Sequence, residues 1–272
     1  MDTVLSFHQG ELPLLVSMPH AGLELTPEVA DGLVAPARCL PDTDWHIPRL
    51  YDFAQALGAS VLVAQYSRFV IDLNRPDDDK PLYPGATTGL YPATLFDGQP
   101  LFEPGLEPDA KARSTYLEQI WRPYHETLRR ELARLCKIHG HALLWDAHSI
   151  RSRVPRLFED RLPDFNLGTF DGASCDPALA ERLQDICAQA RGYSQVLDGR
   201  FKGGYITRHY GSPANHVHAV QLELAQSTYM EEAEPFEYRE DLAQPTQVVL
   251  RQLLQSALAW ARERYRPWSR PS

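Results

Sequence analysis

Cysteine is scarce in this sequence and is not arranged for metal binding. Its four cysteines lie far apart, at positions 39, 136, 175 and 187, and no pair forms a Cys-x-x-Cys motif. A zinc site made of thiolates is therefore not expected. We expect free thiols, which are usual in a reducing compartment.

The chain also lacks a long apolar run. No stretch approaches the roughly 20 apolar residues that span a bilayer. The first residues, MDTVLSFHQGELP, are acidic and interrupted by polar side chains, whereas a signal peptide has a basic start followed by an apolar stretch. The sequence therefore predicts a cytoplasmic protein.

An excess of basic residues is missing as well. The chain has 27 Lys and Arg against 36 Asp and Glu, which gives a net charge of −9 at pH 7. Nucleic-acid binding needs a basic surface, so a polyanionic partner is not expected. A small anionic substrate is compatible with this charge, because it responds to the local field of a few arginines.

What the sequence does have is the pattern of an α/β protein. Its 272 residues, 43% of them hydrophobic, predict one domain over residues 1–272. Apolar patterning predicts strands at 12–18, 60–65, 69–73, 141–145 and 217–224, and helices at 45–57, 109–138, 176–190 and 242–264. Such alternation favours a mainly parallel or mixed sheet with helices on both faces, which binds ligands at the carboxyl ends of its strands.

Two interruptions of this pattern are notable. Pro123 lies inside the second predicted helix and predicts a kink there. Residues 76–108 are rich in proline and too long for an ordinary connection, so we interpret them as a functional loop over a site.

Two histidines lie at or near the ends of predicted strands. His20 lies in the motif MPHAG, whose small residues and proline allow a tight turn that exposes the imidazole. His148 follows a strand in the motif DAHS, where one ring nitrogen can ligate a metal while the other is held by a carboxylate such as that of Asp146. The alternative for each histidine is a structural residue hydrogen-bonded to its surroundings.

A carboxylate that could join these histidines lies in the motif DTDW, at residues 42–45. Asp44 or Thr43 is a natural N-cap for the helix that follows. Asp44 could instead complete a site of two histidines and one carboxylate, because catalytic zinc commonly keeps three protein ligands and one water.

Charged residues also lie in two apolar segments. Arg68 and Arg75 bracket the segment SRFVIDLNR, and Arg75 with Asn74 is suited to bind a carboxylate through paired hydrogen bonds. Surface salt bridges are the alternative. Glu223 lies in the apolar strand AVQLEL, where a carboxylate is either paired or kept as a general base with a raised pKa.

The motifs MPHAG, DTDW, SRFVIDLNRP, DAHS, FKGGYITRHYG and VQLEL, in this order, resemble the N-formylglutamate amidohydrolase family from about residue 8 to 260. That family is similar in fold to zinc-dependent exopeptidases and aspartoacylase-type deacylases. The resemblance implies metal-dependent hydrolysis of N-formyl-L-glutamate to glutamate and formate, a step of histidine degradation.

The resemblance also implies roles for the catalytic residues. His20 and His148 would ligate the metal, Arg68 would polarise the scissile carbonyl, and Glu223 would be the base. The related exopeptidases take another ligand from a His-x-x-Glu pair, but Leu23 occupies that position here.

The carboxylate ligand must therefore come from elsewhere. Asp44 is the preferred candidate, ahead of Glu24 and Asp42. Two histidines and a carboxylate suit Zn²⁺, and the same ligands are compatible with iron, cobalt or manganese.

The amino-acid half of the substrate would be held by two segments. The resemblance implies that Asn74 and Arg75 bind a carboxylate. In FKGGYITRHYG, glycines permit a close backbone approach, and polar residues would contact the side-chain carboxylate. The residues of this second segment are Gly203, Gly204, Thr207, Arg208 and Tyr210.

Two other functions stay open. One is a related zinc deacylase that acts on another N-acyl or N-formimino amino acid. The other is a catalytically silent amino-acid-binding protein on the same fold. The presence of all candidate ligands together with Glu223 favours an enzyme.

Overall fold

The computed structural model describes residues 3–81 and 88–265. Within these ranges one sheet is formed by β1 Leu5–His8, β2 Leu14–Met18, β3 Ser60–Ala64, β4 Ala142–Ile150, β5 Phe165–Gly168, β6 Gln195–Leu197 and β7 Val217–Ala225. The strand order is β1-β3-β2-β4-β7-β5-β6. The central strands β3, β2, β4 and β7 are parallel, β1 and β5 are antiparallel to their central neighbours, and β6 is parallel to β5.

Helices lie between the strands along the chain. The α-helices of the described residues are α1 Pro27–Gly32, α2 Ile47–Leu50, α3 Phe53–Leu57, α4 Ala110–Tyr116, α5 Arg122–His139, α6 Pro177–Gln189, α7 Tyr205–Tyr210 and α8 Glu240–Arg264. Among them, none is both long and apolar enough to cross a membrane.

The sheet is covered on both faces because successive side chains of a strand point to opposite sides. In β2, Leu14, Val16 and Met18 pack into a core with α6 and α8, whereas Leu15 packs into a second core with α5. Each fully buried leucine of this kind contributes roughly 1.5–3 kcal/mol. The predicted α/β class, with a mixed sheet between helices, is confirmed.

The strands predicted at 12–18, 60–65 and 217–224 and the helices predicted at 176–190 and 242–264 are confirmed within a few residues. The strand predicted at 141–145 continues to Ile150. Polar residues at 146, 148 and 149 interrupt the apolar pattern of its second half, but these residues pair with β7 and are buried.

The strand predicted at 69–73 is wrong. This segment forms turns, in which Val70 N–H donates to the Ser67 carbonyl and Arg75 N–H to the Asp72 carbonyl. Its apolar side chains are buried in the core, and burial alone produced the strand-like pattern. β1, β5 and β6 were not predicted because they have only three or four residues each.

Two predicted helices are divided. The region 45–57 contains the short helices α2 and α3, and α2 follows His46, whose φ of 61° is left-handed. The region 109–138 contains α4, a π-helical turn at Leu117–Trp121 and then α5. Pro123 lies at the start of α5, directly after the π turn.

Candidate metal centre and active site

The carboxyl ends of β4 and β7 place four polar side chains on one face of the sheet. The register pairs Asp146 with Gln221 and His148 with Glu223. Alternation turns all four side chains to the face that also carries Leu144, which lies in the core with α5. All four are buried. The parallel pairing of these strands therefore brings an acid and an imidazole side by side.

Loops complete a buried group of three candidate ligands. The nearest ligand atoms of His20, Asp44 and His148 all lie within 4.8 Å of one another. Asp44 Oδ2 is 3.0 Å from His148 Nδ1 and 3.8 Å from His20 Nδ1. The Asp44 N–H donates to the His20 carbonyl at 3.1 Å, which ties the two loops together.

The other candidate carboxylates lie elsewhere. Glu24 is exposed. Asp42 is buried, but its oxygens accept from Phe96 N–H at 2.8 Å and from Arg151 at 3.0 Å. Asp44 makes no side-chain cap to α2, whose N-cap residue is His46. The geometry therefore favours Asp44 as the carboxylate ligand over Glu24 and Asp42. It also argues against a capping role for Asp44.

His20 is held as metal-ligating histidines usually are. Its Nε2 lies 2.7 Å from Asp72 Oδ1, and Asp72 also accepts from Arg68 at 2.6 Å and from Asn74 N–H at 2.9 Å. Because the Asp72 carboxylate accepts at Nε2, Nδ1 is the ring nitrogen with a lone pair, and it faces Arg68 Nη1 at 3.3 Å and Asp44 Oδ2 at 3.8 Å. Burial and the neighbouring Arg68 lower the pKa of His20, which favours the neutral, ligating form.

His148 lies between two carboxylates. Its Nδ1 faces Asp44, and its Nε2 lies 3.2 Å from Asp146 Oδ2. Although burial disfavours the charged imidazole, Asp146 and Asp44 hold the pKa of His148 well above its usual range. Asp146 Oδ1 has no hydrogen-bond partner among the described residues.

Taken together, this donor set fits a cation. Three buried aspartates surround the two imidazoles, and Arg68 is the cation paired with one of them. Ligands held about 2.0–2.1 Å from a tetrahedral zinc lie roughly 3.3 Å apart, close to the spacings around Asp44. Asp72 behind His20 and Asp146 behind His148 match the usual surroundings of metal-ligating histidines.

A pocket opens beside this group. Among the described residues its polar lining contains His20, His148, Arg68, Arg75, Arg200 and Glu223, and its apolar lining contains Phe96, Ile150, Leu157 and Phe201. Burial raises the pKa of Glu223 to about 8, so this acid holds its proton more tightly than an ordinary glutamate.

Part of the long loop contributes to this pocket. Thr88 and Phe96 line it, and the Arg68 guanidinium lies 4.7 Å from the centre of the Phe96 ring. Residues 82–87 of the predicted loop lie outside the described residues.

The segment FKGGYITRHYG is placed differently from the prediction. Gly204 lines the pocket, but Gly203, Thr207, Arg208 and Tyr210 are not among its described lining residues. Thr207 Oγ1 instead donates to Asp146 at 3.3 Å, and Arg208 Nε donates to the Gly203 carbonyl at 2.7 Å. We therefore no longer expect these four residues to contact the substrate. The contacts of Thr207 and Arg208 instead support neighbouring residues.

Asn74 is also engaged within the protein. Its Oδ1 accepts from Ile206 N–H at 2.8 Å, and its Nδ2 lies 3.0 Å from His148 Nε2. A Cβ at Gly204 would lie 2.2 Å from that amide nitrogen. Glycine at 204 is therefore required by the packing of Asn74.

Three residues of the site were missed from the sequence. Arg200 lines the pocket just before the glycine pair, Asp72 supports His20, and Gln221 accepts from Gly204 N–H at 2.7 Å. Alternation along β7 could have indicated Gln221, which is two residues before Glu223. The other two have no local pattern that separates them from surface charges.

Comparison with known proteins identifies the relatives of this chain. Residues 12–230 match the N-formylglutamate amidohydrolase family. An N-formylglutamate deformylase of Pseudomonas putida is 77% identical over 265 residues, which cover 97% of this chain and 99% of the relative. One of Pseudomonas aeruginosa is 68% identical and covers 97% of this chain and 100% of the relative.

A solved structure supports the fold. The N-formylglutamate amidohydrolase from Ralstonia eutropha has a TM-score of 0.80 against this chain at 24% identity. The match covers 96% of this chain and 98% of that one.

Proposed function

Because this chain belongs to the N-formylglutamate amidohydrolase family, we propose that it hydrolyses N-formyl-L-glutamate to glutamate and formate. The observation that carries the proposal is the buried His20–Asp44–His148 group with Glu223 beside it. The relatives named above as N-formylglutamate deformylases cover nearly the whole chain. The cytoplasmic location remains a prediction from the sequence.

His20, Asp44 and His148 would hold the metal, and two nitrogens with one carboxylate oxygen suit Zn²⁺. A metal held there would supply Lewis acidity toward the formyl oxygen and toward the attacking water. Asp72 and Asp146 orient the two imidazoles from behind. Arg68, fixed by Asp72, would add a positive charge near the carbonyl oxygen as negative charge develops there.

Glu223 would act as the general base. It lies in the pocket next to His148, where its carboxylate would take a proton from water and pass it to the leaving amine. Its rigid place in the middle of a paired strand keeps the carboxylate oriented during both transfers.

The lining also fits a substrate with two carboxylates. Besides the guanidinium of Arg68, the pocket lining contains two more, those of Arg75 and Arg200. Arg75 Nε donates to the Thr88 carbonyl at 2.7 Å, and Arg200 Nε donates to the Leu157 carbonyl at 2.8 Å. These bonds fix both planes in the lining. We assign the α-carboxylate to Arg75 and the side-chain carboxylate to Arg200.

Formate release from N-formyl-L-glutamate by the purified protein tests this function. We expect zinc-loaded protein to release formate, and chelator-treated protein to lose the activity and regain it with zinc. N-acetyl-L-glutamate and N-formimino-L-glutamate serve as comparison substrates. Faster turnover of either comparison substrate would assign the protein to another deacylation, and absence of hydrolysis of all three would refute the enzyme assignment.

A further inference from the structure

Residues 72–75 carry three side chains on which the proposed site depends. Asp72 holds His20, Asn74 lies against His148, and Arg75 lines the pocket. The segment belongs to no strand or helix. The Asp72 carbonyl accepts from Arg75 N–H within the segment, but the Leu73 and Arg75 carbonyls take their partners from other elements.

Two aromatic side chains of the helical region before β4 supply such partners. His125 Nε2 lies 2.8 Å from the Leu73 carbonyl oxygen. Trp121 Nε1–H donates to the Arg75 carbonyl oxygen at 2.9 Å. The two rings stack with centroids 3.8 Å apart and 23° between their planes. Both donors thus reach the segment as one stacked pair.

The hydrogen-bonding state of His125 follows from its neighbours. The Leu73 carbonyl can only accept, so Nε2 must carry hydrogen. Burial lowers the pKa of His125 to about 3, so the ring is neutral and Nδ1 has a lone pair. The Tyr210 hydroxyl lies 3.0 Å from this nitrogen and donates to the His125 backbone carbonyl at 3.1 Å, which holds the ring edge opposite Leu73. The Leu73 carbonyl therefore fixes the tautomer, and Tyr210 packs against the other ring nitrogen.

The π turn sets the direction of these rings. In the turn Leu117–Trp121, the N–H of Arg122 bonds to the Leu117 carbonyl five residues earlier. Pro123 follows and has no N–H of its own. A π turn contains one residue more than an α-helical turn. Removing that residue would rotate the side chains after the turn by about 100° relative to those before the turn. Without the extra residue, Trp121 and His125 would point in another direction relative to α4. π turns of this kind are frequent at functional sites.

We infer that Trp121 and His125, presented by the π turn, are positioning residues that fix the backbone of 72–75 and thereby the catalytic geometry. This inference rests on the proposed function, since turnover is one of its readouts. A merely structural pair would affect only stability. A positioning pair also changes KM, kcat and metal affinity of the folded protein.

Trp121→Phe tests the anchor at Arg75, because phenylalanine keeps an aromatic ring but loses the N–H. We expect KM for N-formylglutamate to rise about 3- to 10-fold, the effect of one lost hydrogen bond, with kcat within about twofold. The preference over N-formyl-4-aminobutyrate, which lacks the α-carboxylate, should fall by a similar factor. Trp260→Phe is the control, because Trp260 is a buried indole in the core on the opposite face. Unchanged KM and preference in folded Trp121→Phe would overturn this part.

His125→Gln and His125→Asn form a sharper pair. The longer glutamine amide reaches the place of Nε2 and can still donate to Leu73, whereas the asparagine amide reaches only the place of Nδ1. We expect glutamine to keep kcat and zinc affinity within about threefold. Asparagine should lower both by about 3- to 10-fold, because Leu73 lies between Asp72 and Asn74. Equal behaviour of the two variants would refute the inference.

His218→Gln is the matched control for this pair. His218 is also a buried imidazole bonded to a tyrosine hydroxyl, that of Tyr265 at 2.6 Å, but it lies at the other end of β7 from Glu223. This variant should lose stability and keep KM, kcat and zinc affinity. If the wild type releases no formate, the proposed function fails. The inference can then still be tested, because the zinc affinities of His125→Gln and His125→Asn should differ.

Discussion

Glu223 and His148 are register partners on the parallel strands β7 and β4, and alternation turns both side chains to the same face of the sheet. Glu223 is 7% exposed and His148 is 2% exposed. The backbone of Glu223 is paired on both sides, with His148 of β4 and Asn166 of β5. The register therefore fixes the distance between the proposed base and the proposed metal ligand.

Glu223→Gln keeps the shape of the side chain but removes its ability to accept a proton. We expect kcat on N-formylglutamate to fall about 10²- to 10⁴-fold, the usual contribution of a general base. Zinc content should match that of the wild type, because the three proposed ligands are untouched. Steady-state kinetics and atomic absorption measure the two quantities.

The stability of this variant provides the control. A buried carboxylate costs more to desolvate than an amide, so metal-free Glu223→Gln should be at least as stable as the metal-free wild type in urea. Turnover near that of the wild type would remove Glu223 from the mechanism and leave Asp146 as the candidate base.

The metal ligands are tested by removing them one at a time. His20→Ala and His148→Ala should each lose most bound zinc and reduce activity by about two orders of magnitude or more. Asp44→Asn should weaken zinc binding while the protein stays folded. Asp42→Asn is its matched control, because Asp42 is equally buried but bonds to Phe96 and Arg151. Equal zinc loss in the two aspartate variants would exclude Asp44 as a specific ligand.

Asp72→Asn tests the support behind His20. The asparagine side chain loses the charge that orients Nε2 and pairs with Arg68. We expect zinc affinity to fall about 10- to 100-fold, as is usual for such supporting carboxylates. Competition with a chromogenic chelator measures this affinity, and an unchanged value would show that Asp72 serves Arg68 alone.

The two pocket arginines should read different carboxylates. Lysine keeps the charge but loses the planar fork, so Arg75→Lys and Arg200→Lys should each cost about 10- to 200-fold in kcat/KM on the full substrate. Arg75→Lys should lose the preference over N-formyl-4-aminobutyrate. Arg200→Lys should lose the preference over N-formylnorvaline, which lacks the side-chain carboxylate.

Arg208→Ala is the control for this comparison, since Arg208 is outside the described lining and lies over the Phe170 ring. It should retain both preferences. Loss of the norvaline preference in Arg208→Ala, with Arg200→Lys unaffected, would return the side-chain carboxylate to Arg208.

His218 should make stability depend on pH. Burial lowers the pKa of His218 to about 4, below the ordinary value of 6.5. Between these values the unfolded chain binds more protons, so the free energy of unfolding falls as pH drops from about 6.5 to about 4, by on the order of 1–2 kcal/mol. His218→Gln should be less stable at pH 7 and should lack this part of the decline. Urea titrations at pH 7.5, 6.0 and 5.0 measure it, and parallel curves for the two proteins would contradict it.

Local patterns in the sequence predicted the elements that are long and regularly patterned. The strands around residues 12–18 and 217–224 and the closing helix have periodic apolar residues that need no distant partner to be recognised. The segment 69–73 shows the limit, because its apolar residues are buried in turns. Periodicity reports burial and does not by itself report backbone conformation.

The chemistry divides in the same way. The sequence by itself determined which residue types lie at or near the strand ends, including His20, His148 and Glu223, because a strand fixes where its own last side chains point. Only the tertiary structure distinguished Asp44 from Asp42 and brought Arg200 rather than Arg208 to the pocket. Asp44 and His148 are 104 positions apart, and their 3.0 Å contact depends on how the loops pack over the sheet. That packing is the sum of many distant contacts, which no local spacing encodes.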